Sequence, residues 1–367
     1  MEQKLLQRYR RQLPVIGLQG EKKLQQAKIL CIGAGGLGSA TLLYLAACGI
    51  GKIGIVDGDV VELSNLQRQI LYTTDDVGQS KAVQAAKHIQ ALNNTIDTVI
   101  YQNYINADNA ANMIADYDVI VDGSDNYYTR YLVNDYCQLQ QKPLIYASVL
   151  QYAGQISVFN YQNGPCLRCL YLTPPPENIT PSCAQAGVLG VLPGLLGILQ
   201  ATEVIKLVLK KDTLLSGRLL TVDALTMIFT EFPVRKNTQC PLCQHQQMSA
   251  ELFQENTVDT PSIEEITPQQ LIVMQQAVDK EIYLLDVREP YEREICHIGG
   301  ELIPLNTLLS TGITTDKSHH IVIYCRSGQR SMTAAKALVT QGYENVYNLQ
   351  GGILQWANAI DPTLATY

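Results

Sequence analysis

The chain has 367 residues, of which 46% are hydrophobic and 17% charged, enough to bury a large core and to divide into two domains. A net charge of −7 argues against nucleic acid as a direct partner, because surfaces that bind phosphate backbones are usually basic. The first residues lack the apolar core of a secretion signal, and no apolar run reaches the ~20 residues of a membrane-spanning helix. We therefore expect a cytoplasmic protein with no membrane partner, whose ten cysteines serve as thiols and metal ligands rather than as disulfides.

A glycine-rich turn organises the first part of the chain. Residues 1–27 are predicted to be helical, and they are followed by an apolar strand, the glycines at 33, 35, 36 and 38, a helical pattern and a second strand that ends at Asp57. Glycines at this spacing let the backbone approach a phosphate at a helix N-terminus, and a carboxylate at Asp57 can accept a ribose hydroxyl. The pattern predicts a nucleotide-binding unit of Rossmann type, although such glycines also serve to pack a helix on a sheet.

Polar and cationic residues crowd the sequence just after the ribose position. A dinucleotide needs little beyond the helix terminus, whereas a triphosphate under attack needs cations to offset the charge that develops on the departing pyrophosphate. This crowding favours a triphosphate as the ligand, and the residues concerned are Asp59, Ser64, Asn65, Arg68, Gln69 and Lys81.

Strands and helices alternate after Lys81. We expect a helix through Ile89, a strand at 98–101, a helix near 107–116, and strands at 119–122, 144–147, 155–159 and near 219–222. This alternation predicts an α/β fold with a mostly parallel sheet. Asp125 follows the strand 119–122, at the edge where ligands of such sheets collect, and a helix N-cap is the alternative role for it.

Two C-x-x-C pairs predict a metal centre. Four thiolates suit a tetrahedral structural zinc site, and the alternative is two unrelated pairs of reduced cysteines. The ligands would be Cys166, Cys169, Cys240 and Cys243. Between the pairs lies a proline-rich loop that ends at Cys183, before an apolar helix expected at 195–209; a lone cysteine of this kind is usually inert.

A second domain begins after a polar linker. We assign 1–246 to the first domain, 247–262 to the linker and 263–367 to a smaller, separate α/β domain, with a helix at 263–278 and strands at 283–288 and 321–324. Cys325 lies on the turn after the last of these strands, and the loop residues that would ring it are Arg326, Ser327, Gly328, Gln329 and Arg330. A cysteine in such a cradle of N–H groups and arginines is expected to ionise and to hold an anionic adduct.

Only four residues separate Cys325 from Arg330, whereas phosphatase loops have five, so the tighter loop favours sulfur chemistry over phosphate hydrolysis. Cys296 is interpreted as a structural thiol, with a second sulfur centre as the alternative, and His297 as a structural hydrogen-bonding residue.

The ordered motifs of the first domain resemble the adenylation domain shared by ubiquitin-activating enzymes and the molybdopterin-synthase and thiamine-biosynthesis adenylyltransferases. The resemblance implies ATP and Mg²⁺ as cofactors, with Asp125 on the metal and Asn126 beside it, and with Arg68 and Lys81 on the phosphates. It also implies that Arg11 reaches the triphosphate of the other subunit in a homodimer, and that Cys183 holds a carrier protein.

The motifs around Asp286, His297, Cys325 and Gly351 resemble a rhodanese domain. The two resemblances together imply an enzyme that adenylates the C-terminal Gly-Gly tail of a ubiquitin-like sulfur carrier and then converts it to a thiocarboxylate, using a persulfide on Cys325. A cysteine desulfurase is the expected upstream sulfur donor, and molybdopterin synthesis, thiamine synthesis, cysteine synthesis and tRNA thiolation are open as destinations. The alternatives are an NAD-dependent oxidoreductase, which satisfies the same glycine fingerprint, and an inactive scaffold that binds ubiquitin-like tails.

Overall fold

The computed structural model describes residues 3–175, 187–245, 263–276 and 282–367. By internal packing the chain divides into two compact units, 1–255 and 256–367. Cys183 and the predicted linker 247–262 lie outside the described residues, so the domain boundaries remain predictions.

The first unit is built on an eight-stranded mixed sheet. Its strands are β1 Lys28–Ile32, β2 Lys52–Val56, β3 Asp97–Tyr101, β4 Val119–Asp122, β5 Leu144–Leu150, β6 Ala153–Phe159, β7 Arg218–Asp223 and β8 Ile228–Pro233. They lie in the order β3-β2-β1-β4-β5-β6-β7-β8, in which the pairs from β3 to β5 are parallel and the pairs from β5 to β8 antiparallel. The strand order reverses between β1 and β4, which is where doubly wound sheets bind ligands.

Helices cover both faces of this sheet. They are α1 Gln3–Arg8, α2 Leu13–Gln26, α3 Gly36–Ala47, α4 Lys81–Leu92, α5 Ala110–Ala115, α6 Tyr127–Leu139, α7 Leu167–Leu170, α8 Val191–Val208 and α9 Pro241–His245. One core cluster includes residues of α3, α4 and α8 with the inner face of the strands, and a second includes residues of α5 and α6 with the opposite face.

Helix α8 is long and apolar enough to pass a test for a membrane span by length and composition. Its Leu192, Leu196, Ala201 and Val204 are nevertheless buried, and they belong to the same core cluster as residues of α3 and the sheet. The helix begins four residues before the predicted start, and Pro193 is tolerated because it lies in the first turn.

The second unit has a five-stranded sheet in which all pairs are parallel. Its strands are β9 Glu264–Ile266, β10 Ile282–Asp286, β11 Glu301–Leu302, β12 His320–Tyr324 and β13 Val346–Leu349, in the order β11-β10-β12-β13-β9. The helices are α10 Pro268–Gln276, α11 Pro290–Ile295, α12 Leu305–Thr311, α13 Gln329–Thr340 and α14 Gly352–Ala359.

The helix expected over 263–278 is wrong at its start. Residues 264–266 form the edge strand β9, which pairs with β13, and the helix begins only at Pro268. Thr267 lies between the two elements and accepts a hydrogen bond from the backbone of Gln270. Proline suits the first turn of a helix, where its missing N–H leaves no bond unmade.

Candidate active sites

The glycine turn of the first unit has the geometry of a phosphate cradle. Gly33 has φ of +89°, and a Cβ there would lie 2.8 Å from the carbonyl oxygen of Gly123. A Cβ at Gly38 would collide with the carbonyl of Gly33, so both positions require glycine. Among the described residues no side chain caps the start of α3, whose first N–H groups therefore remain available to an anion.

Asp57 is tied to this turn. Its Oδ2 accepts the N–H of Ala34 at 2.8 Å and its Oδ1 accepts the N–H of Asp59 at 2.9 Å. Burial raises the pKa of Asp57 above its ordinary value, and the two backbone hydrogen bonds act in the opposite direction. The carboxylate is thus fixed at the end of β2, where sequence analysis expects the ribose.

Lys81 and Asp59 form an ion pair beside the turn. Lys81 is buried, and its Nζ lies 2.9 Å from Oδ2 of Asp59. The phenol of Tyr104 donates to the other oxygen, Oδ1. Burial would raise the pKa of Asp59, but the hydrogen bonds from Tyr104 and Lys81 outweigh it and lower that pKa, so Asp59 remains charged opposite the lysine.

Arg68 and Gln69 also lie at the glycine turn. A Cβ built on Gly36 would be 3.6 Å from Cγ of Arg68, and one on Gly35 would be 3.6 Å from Nε2 of Gln69. The Arg68 guanidinium donates to the carbonyl of Ser64 at 3.1 Å. Arg68 is half-buried beside the glycine turn. The neighbouring Asn65 is buried and accepts the N–H of Glu62 at 3.2 Å.

The sequence left two roles open for Asp125, ligand binding at the sheet edge and capping of the next helix, and the structure gives the cap to Asn126. Asn126 caps α6 by accepting the N–H of Thr129 at 2.8 Å, whereas the carboxylate of Asp125 is exposed and makes no hydrogen bond or ion pair within the described parts of the chain. Arg11 is exposed in the turn between α1 and α2, and the described residues offer its side chain no hydrogen-bond partner. Cys183 cannot be located because it lies outside the described residues.

A cleft of about 490 Å³ opens beside Asp125. Its floor is the antiparallel part of the sheet, and its polar lining includes Asp125, Arg130, Ser148, Gln155, Thr221 and Asp223. Arg130 is buried and donates to the carbonyl of Ser124 at 3.0 Å.

Sequence reasoning missed three side chains of the first unit. They are Tyr104 at Asp59, Arg130 in the cleft, and Tyr72, whose phenol donates to the carbonyl of Ala34 at 2.8 Å. Tyr72 is 38 residues from Ala34 in the sequence, and Tyr104 is 45 residues from Asp59. No local sequence pattern therefore indicates either contact. Arg130 alone carries a signal, since it is a charged residue on the buried face of α6.

The four predicted metal ligands converge. The Sγ atoms of Cys166, Cys169, Cys240 and Cys243 all lie within 4.8 Å of one another, with three of the separations at 3.6–3.8 Å. Zinc–sulfur bonds of ~2.3 Å in a tetrahedron place sulfurs roughly 3.8 Å apart, so the donor set fits zinc.

Arg168 lies between two of these cysteines and is fully buried. It makes two hydrogen bonds of 2.8 Å to the carboxylate of Asp135 on α6, and its guanidinium lies 4.8 Å from the ring centroid of Tyr131. This pair fixes the first C-x-x-C segment against α6.

In the second unit, the loop after β12 surrounds Cys325. Its Sγ accepts the N–H of Gly328 at 3.1 Å and the hydroxyl of Ser331 at 3.3 Å. The N–H groups of Ile353 and Leu354, in the first turn of α14, hold the carbonyls of Cys325 and Arg326. Gly352 must be glycine, because its φ is +59° and a Cβ would collide with the Cys325 carbonyl. The loop therefore presents donors to one buried sulfur.

The two arginines of this loop are both engaged. Arg330 makes hydrogen bonds of 2.5 and 2.6 Å to Glu292 of α11, and Arg326 contacts Tyr367. Ser327 and Gln329 lie on either side of Gly328 and complete the turn into α13. Glu292 and Tyr367 were not found from the sequence.

Cys296 and His297 have structural contacts. Cys296 is buried, and its backbone carbonyl accepts a hydrogen bond of 2.9 Å from Arg288, which pairs with Asp286. His297 Nδ1 accepts the N–H of Gly299 at 3.2 Å. These contacts favour the structural interpretation of both residues.

The chain matches the ThiF family over residues 9–242 and a rhodanese-like domain over residues 267–359. It therefore belongs to the ThiF family, with a rhodanese-like domain after the ThiF domain. The expected α/β class and the expected resemblance are confirmed.

Whole-length relatives have the same two parts. The chain is 40% identical over 375 residues to a Mycobacterium tuberculosis protein named probable adenylyltransferase/sulfurtransferase MoeZ, covering 98% of this chain and 95% of that protein. It is 38% identical over 398 residues to the Xenopus laevis adenylyltransferase and sulfurtransferase MOCS3, covering 98% and 88%. The chain is thus an enzyme that combines an adenylyltransferase, which implies the use of ATP, with a sulfurtransferase.

A Thermus thermophilus protein named sulfur carrier protein adenylyltransferase is 46% identical over 254 residues, which cover 67% of this chain and 94% of that protein. Among solved structures, a crystal structure of E. coli MccB with MccA-N7isoASN has a TM-score of 0.58 at 23% identity, covering 65% of this chain and 74% of that one, and supports the fold alone.

Proposed function

We propose that this enzyme activates the C-terminal glycine of a ubiquitin-like sulfur carrier protein and converts its carboxylate to a thiocarboxylate. The observation that carries the proposal is the cationic side of the glycine turn, where Arg68 and buried Lys81 flank an uncapped helix start. An NAD site has no need of these cations, whereas adenylyl transfer does, because negative charge moves onto the pyrophosphate as it leaves.

In the first step, an oxygen of the carrier carboxylate attacks the α-phosphorus of ATP. The bond between the α-phosphorus and the bridging oxygen breaks, and pyrophosphate leaves with the electron pair, giving an acyl-adenylate. Asp57 and Asn65 fix the nucleotide, while Lys81 and Arg68 of the same subunit and Arg11 of a second subunit offset the charge on the pyrophosphate. The exposed position of Arg11, without a partner in the described part of its own chain, supports the homodimer.

Two metals fit the residues present. The exposed carboxylate of Asp125 at the edge of the sheet would hold Mg²⁺, with Asn126 beside it, and the ion would neutralise phosphate charge. The four cysteines would hold Zn²⁺ as a structural ion that ties α7 to α9.

The cleft beside Asp125 is the proposed entrance for the carrier tail. A Gly-Gly tail has no side chains, so it suits a cleft whose lining includes polar groups that can bond to a peptide backbone. Ile228 of β8 lines this cleft and is 57% exposed, and it offers apolar surface to the folded part of a carrier.

In the second step, the terminal sulfur of a Cys325 persulfide attacks the acyl carbon and displaces AMP, which leaves an acyl disulfide. A thiolate then attacks the Cys325 sulfur, so that the thiocarboxylate leaves and a disulfide to Cys325 remains for an external thiol to reduce. Cys183 is the proposed attacking thiol, and a thioester on Cys183 that the persulfide displaces is the alternative order. A cysteine desulfurase is the proposed source of the persulfide sulfur.

The proposed location is the cytoplasm, because zinc-binding and sulfur-carrying cysteines, as proposed here, need a reducing compartment.

The test is intact mass of carrier proteins with a Gly-Gly tail after incubation with the enzyme, Mg·ATP and thiosulfate under reducing conditions. We expect one oxygen of the carrier to be replaced by sulfur. The replacement should disappear in Cys325→Ala and persist in the matched control Cys296→Ala. An acyl-adenylate that never receives sulfur would leave the adenylation step standing and remove Cys325 as the donor.

A further inference from the structure

Tyr367 contacts the persulfide loop through both its backbone and its ring. The carbonyl oxygen of Tyr367 accepts a hydrogen bond of 2.5 Å from Nε of Arg326, and the same guanidinium lies 5.5 Å from the centroid of the Tyr367 ring. A cation over an aromatic face is held by the quadrupole of the ring. The position of Arg326 is therefore set by Tyr367.

The phenol of Tyr367 reaches the second arginine through a carboxylate. It donates to Oε1 of Glu292 at 2.8 Å and accepts from Nη1 of Arg288 at 2.9 Å. Both oxygens of Glu292 are also bonded to Arg330, at 2.5 and 2.6 Å. Glu292 thus divides its negative charge between Arg330 and Tyr367.

The electrostatics agree with this geometry. Burial would raise the pKa of Glu292, but hydrogen bonds from Arg330 and Tyr367 help to lower it, so the carboxylate is charged at neutral pH. Burial would lower the pKa of Arg330, yet the bonds to Glu292 raise it, and the Cys325 sulfur adds to that rise. Arg330 lies between Gly328 and Ser331, both of which donate hydrogen bonds to the Cys325 sulfur, so it belongs to the turn that surrounds this sulfur.

We infer that Tyr367 is a positioning residue that sets the positive field at Cys325, holding Arg326 directly and drawing part of the Glu292 charge away from Arg330. The inference rests on the proposed role of Cys325 as the sulfur carrier. Without the phenol, Glu292 would neutralise Arg330 more fully. Without the ring, Arg326 would lose its aromatic contact and keep only the hydrogen bond to the carbonyl of residue 367.

The field matters because sulfur loading moves negative charge. With thiosulfate as donor, the Cys325 thiolate attacks the outer sulfur, the sulfur–sulfur bond of thiosulfate breaks, and sulfite leaves with the electron pair. Cys325 then carries a persulfide anion. Fixed cations beside the sulfur bind the anionic donor and stabilise the charge on the leaving sulfite.

The experiment compares two alkylating reagents on the full-length enzyme. Iodoacetate is an anion and iodoacetamide is neutral, so the ratio of their rates at Cys325, read from the mass of the peptide that contains it, reports the local potential. In Tyr367→Ala we expect the ratio to fall about three- to tenfold, which corresponds to a loss of about 0.6–1.4 kcal/mol of electrostatic attraction for the anionic reagent. Tyr367→Phe keeps the ring and should fall by about twofold.

Tyr343→Phe is the matched control. Its phenol donates one hydrogen bond of 2.9 Å, to the carbonyl of Ile313, and has no contact with the loop. The ratio should be unchanged in this variant. The KM for thiosulfate in persulfide formation should rise in Tyr367→Ala and not in the control.

An unchanged ratio in the Tyr367 variants would overturn the inference. Equal slowing of alkylation by both reagents would also overturn it, because a general loosening of the structure changes both rates alike. If Tyr367→Ala does not fold, Tyr367→Phe decides the question. If wild-type Cys325 takes no sulfur from thiosulfate while the ratios fall as expected, the role of Tyr367 stands and the proposed sulfur-carrying role of Cys325 fails.

Discussion

The buried pair of Asp135 and Arg168 gives the sharpest stability prediction. Both side chains are at most 1% exposed, and two hydrogen bonds of 2.8 Å join them. In Asp135→Asn the guanidinium would stay buried without a counter-charge from the described residues, among which its other contacts are the Leu172 carbonyl and the Tyr131 ring. Breaking such a pair costs about 3–5 kcal/mol, against about 5–15 kcal/mol for the whole stability of a domain.

The chain contains its own reference for this measurement. The only tryptophan, Trp356, belongs to the second unit, so its fluorescence reports the unfolding of that unit, whereas far-UV circular dichroism reports both units. In guanidinium titrations of the full-length protein, Asp135→Asn should move the circular dichroism transition of the first unit to lower denaturant. The Trp356 transition should stay where it is.

Glu231→Gln is the matched control. Arg218 and Glu231 also form a two-bonded pair, at 3.0 Å, but their side chains are 37% and 45% exposed, so losing the charge should cost at most about 1 kcal/mol. If Asp135→Asn costs no more than this control, the buried pair does not hold the C-x-x-C segment, and the reasoning from burial is wrong.

Three further changes have defined outcomes. Lys81→Gln should lower carrier-dependent pyrophosphate release by about 10²- to 10³-fold, mainly in kcat, because a charge beside the leaving group is lost; a change confined to KM would contradict this. Tyr104→Phe keeps the Lys81 pair with Asp59 and removes one hydrogen bond, so the same assay should change by about tenfold at most. Glu292 has a folded-state pKa below its ordinary 4.5, so the stability it adds is present above that pH and is lost as the pH falls through the lowered value. In Glu292→Gln, the unfolding free energy measured by Trp356 fluorescence should no longer fall in this acidic range. If it still falls there, the charge of Glu292 does not stabilise the unit through Arg330.

Local patterns were sufficient for the framework of both sites. The turn from Gly33 to Gly38, the strand ending at Asp57 and the two C-x-x-C pairs are short segments whose backbone demands can be read from residue type alone. The loop after Cys325 belongs to the same group.

The side chains that complete the sites are held by contacts between distant parts of the chain. Tyr104 meets Asp59 across 45 residues, and Tyr367 meets Glu292 across 75. The strand β9 was also missed, because an edge strand that carries Glu264 and Glu265 lacks the apolar run that marks a central strand. Tertiary pairing with β13 decided its conformation.

Helix α6 connects the proposed nucleotide site to the cysteine cluster. Asp125 and the cap Asn126 stand at one end, beside the nucleotide edge, while Asp135 grips Arg168 and Leu139 packs against the cysteine cluster toward the other end. Thirteen residues make a rod of ~20 Å that transmits displacement with little bending. The cysteine cluster and the cap at Asn126 therefore fix opposite ends of one helix.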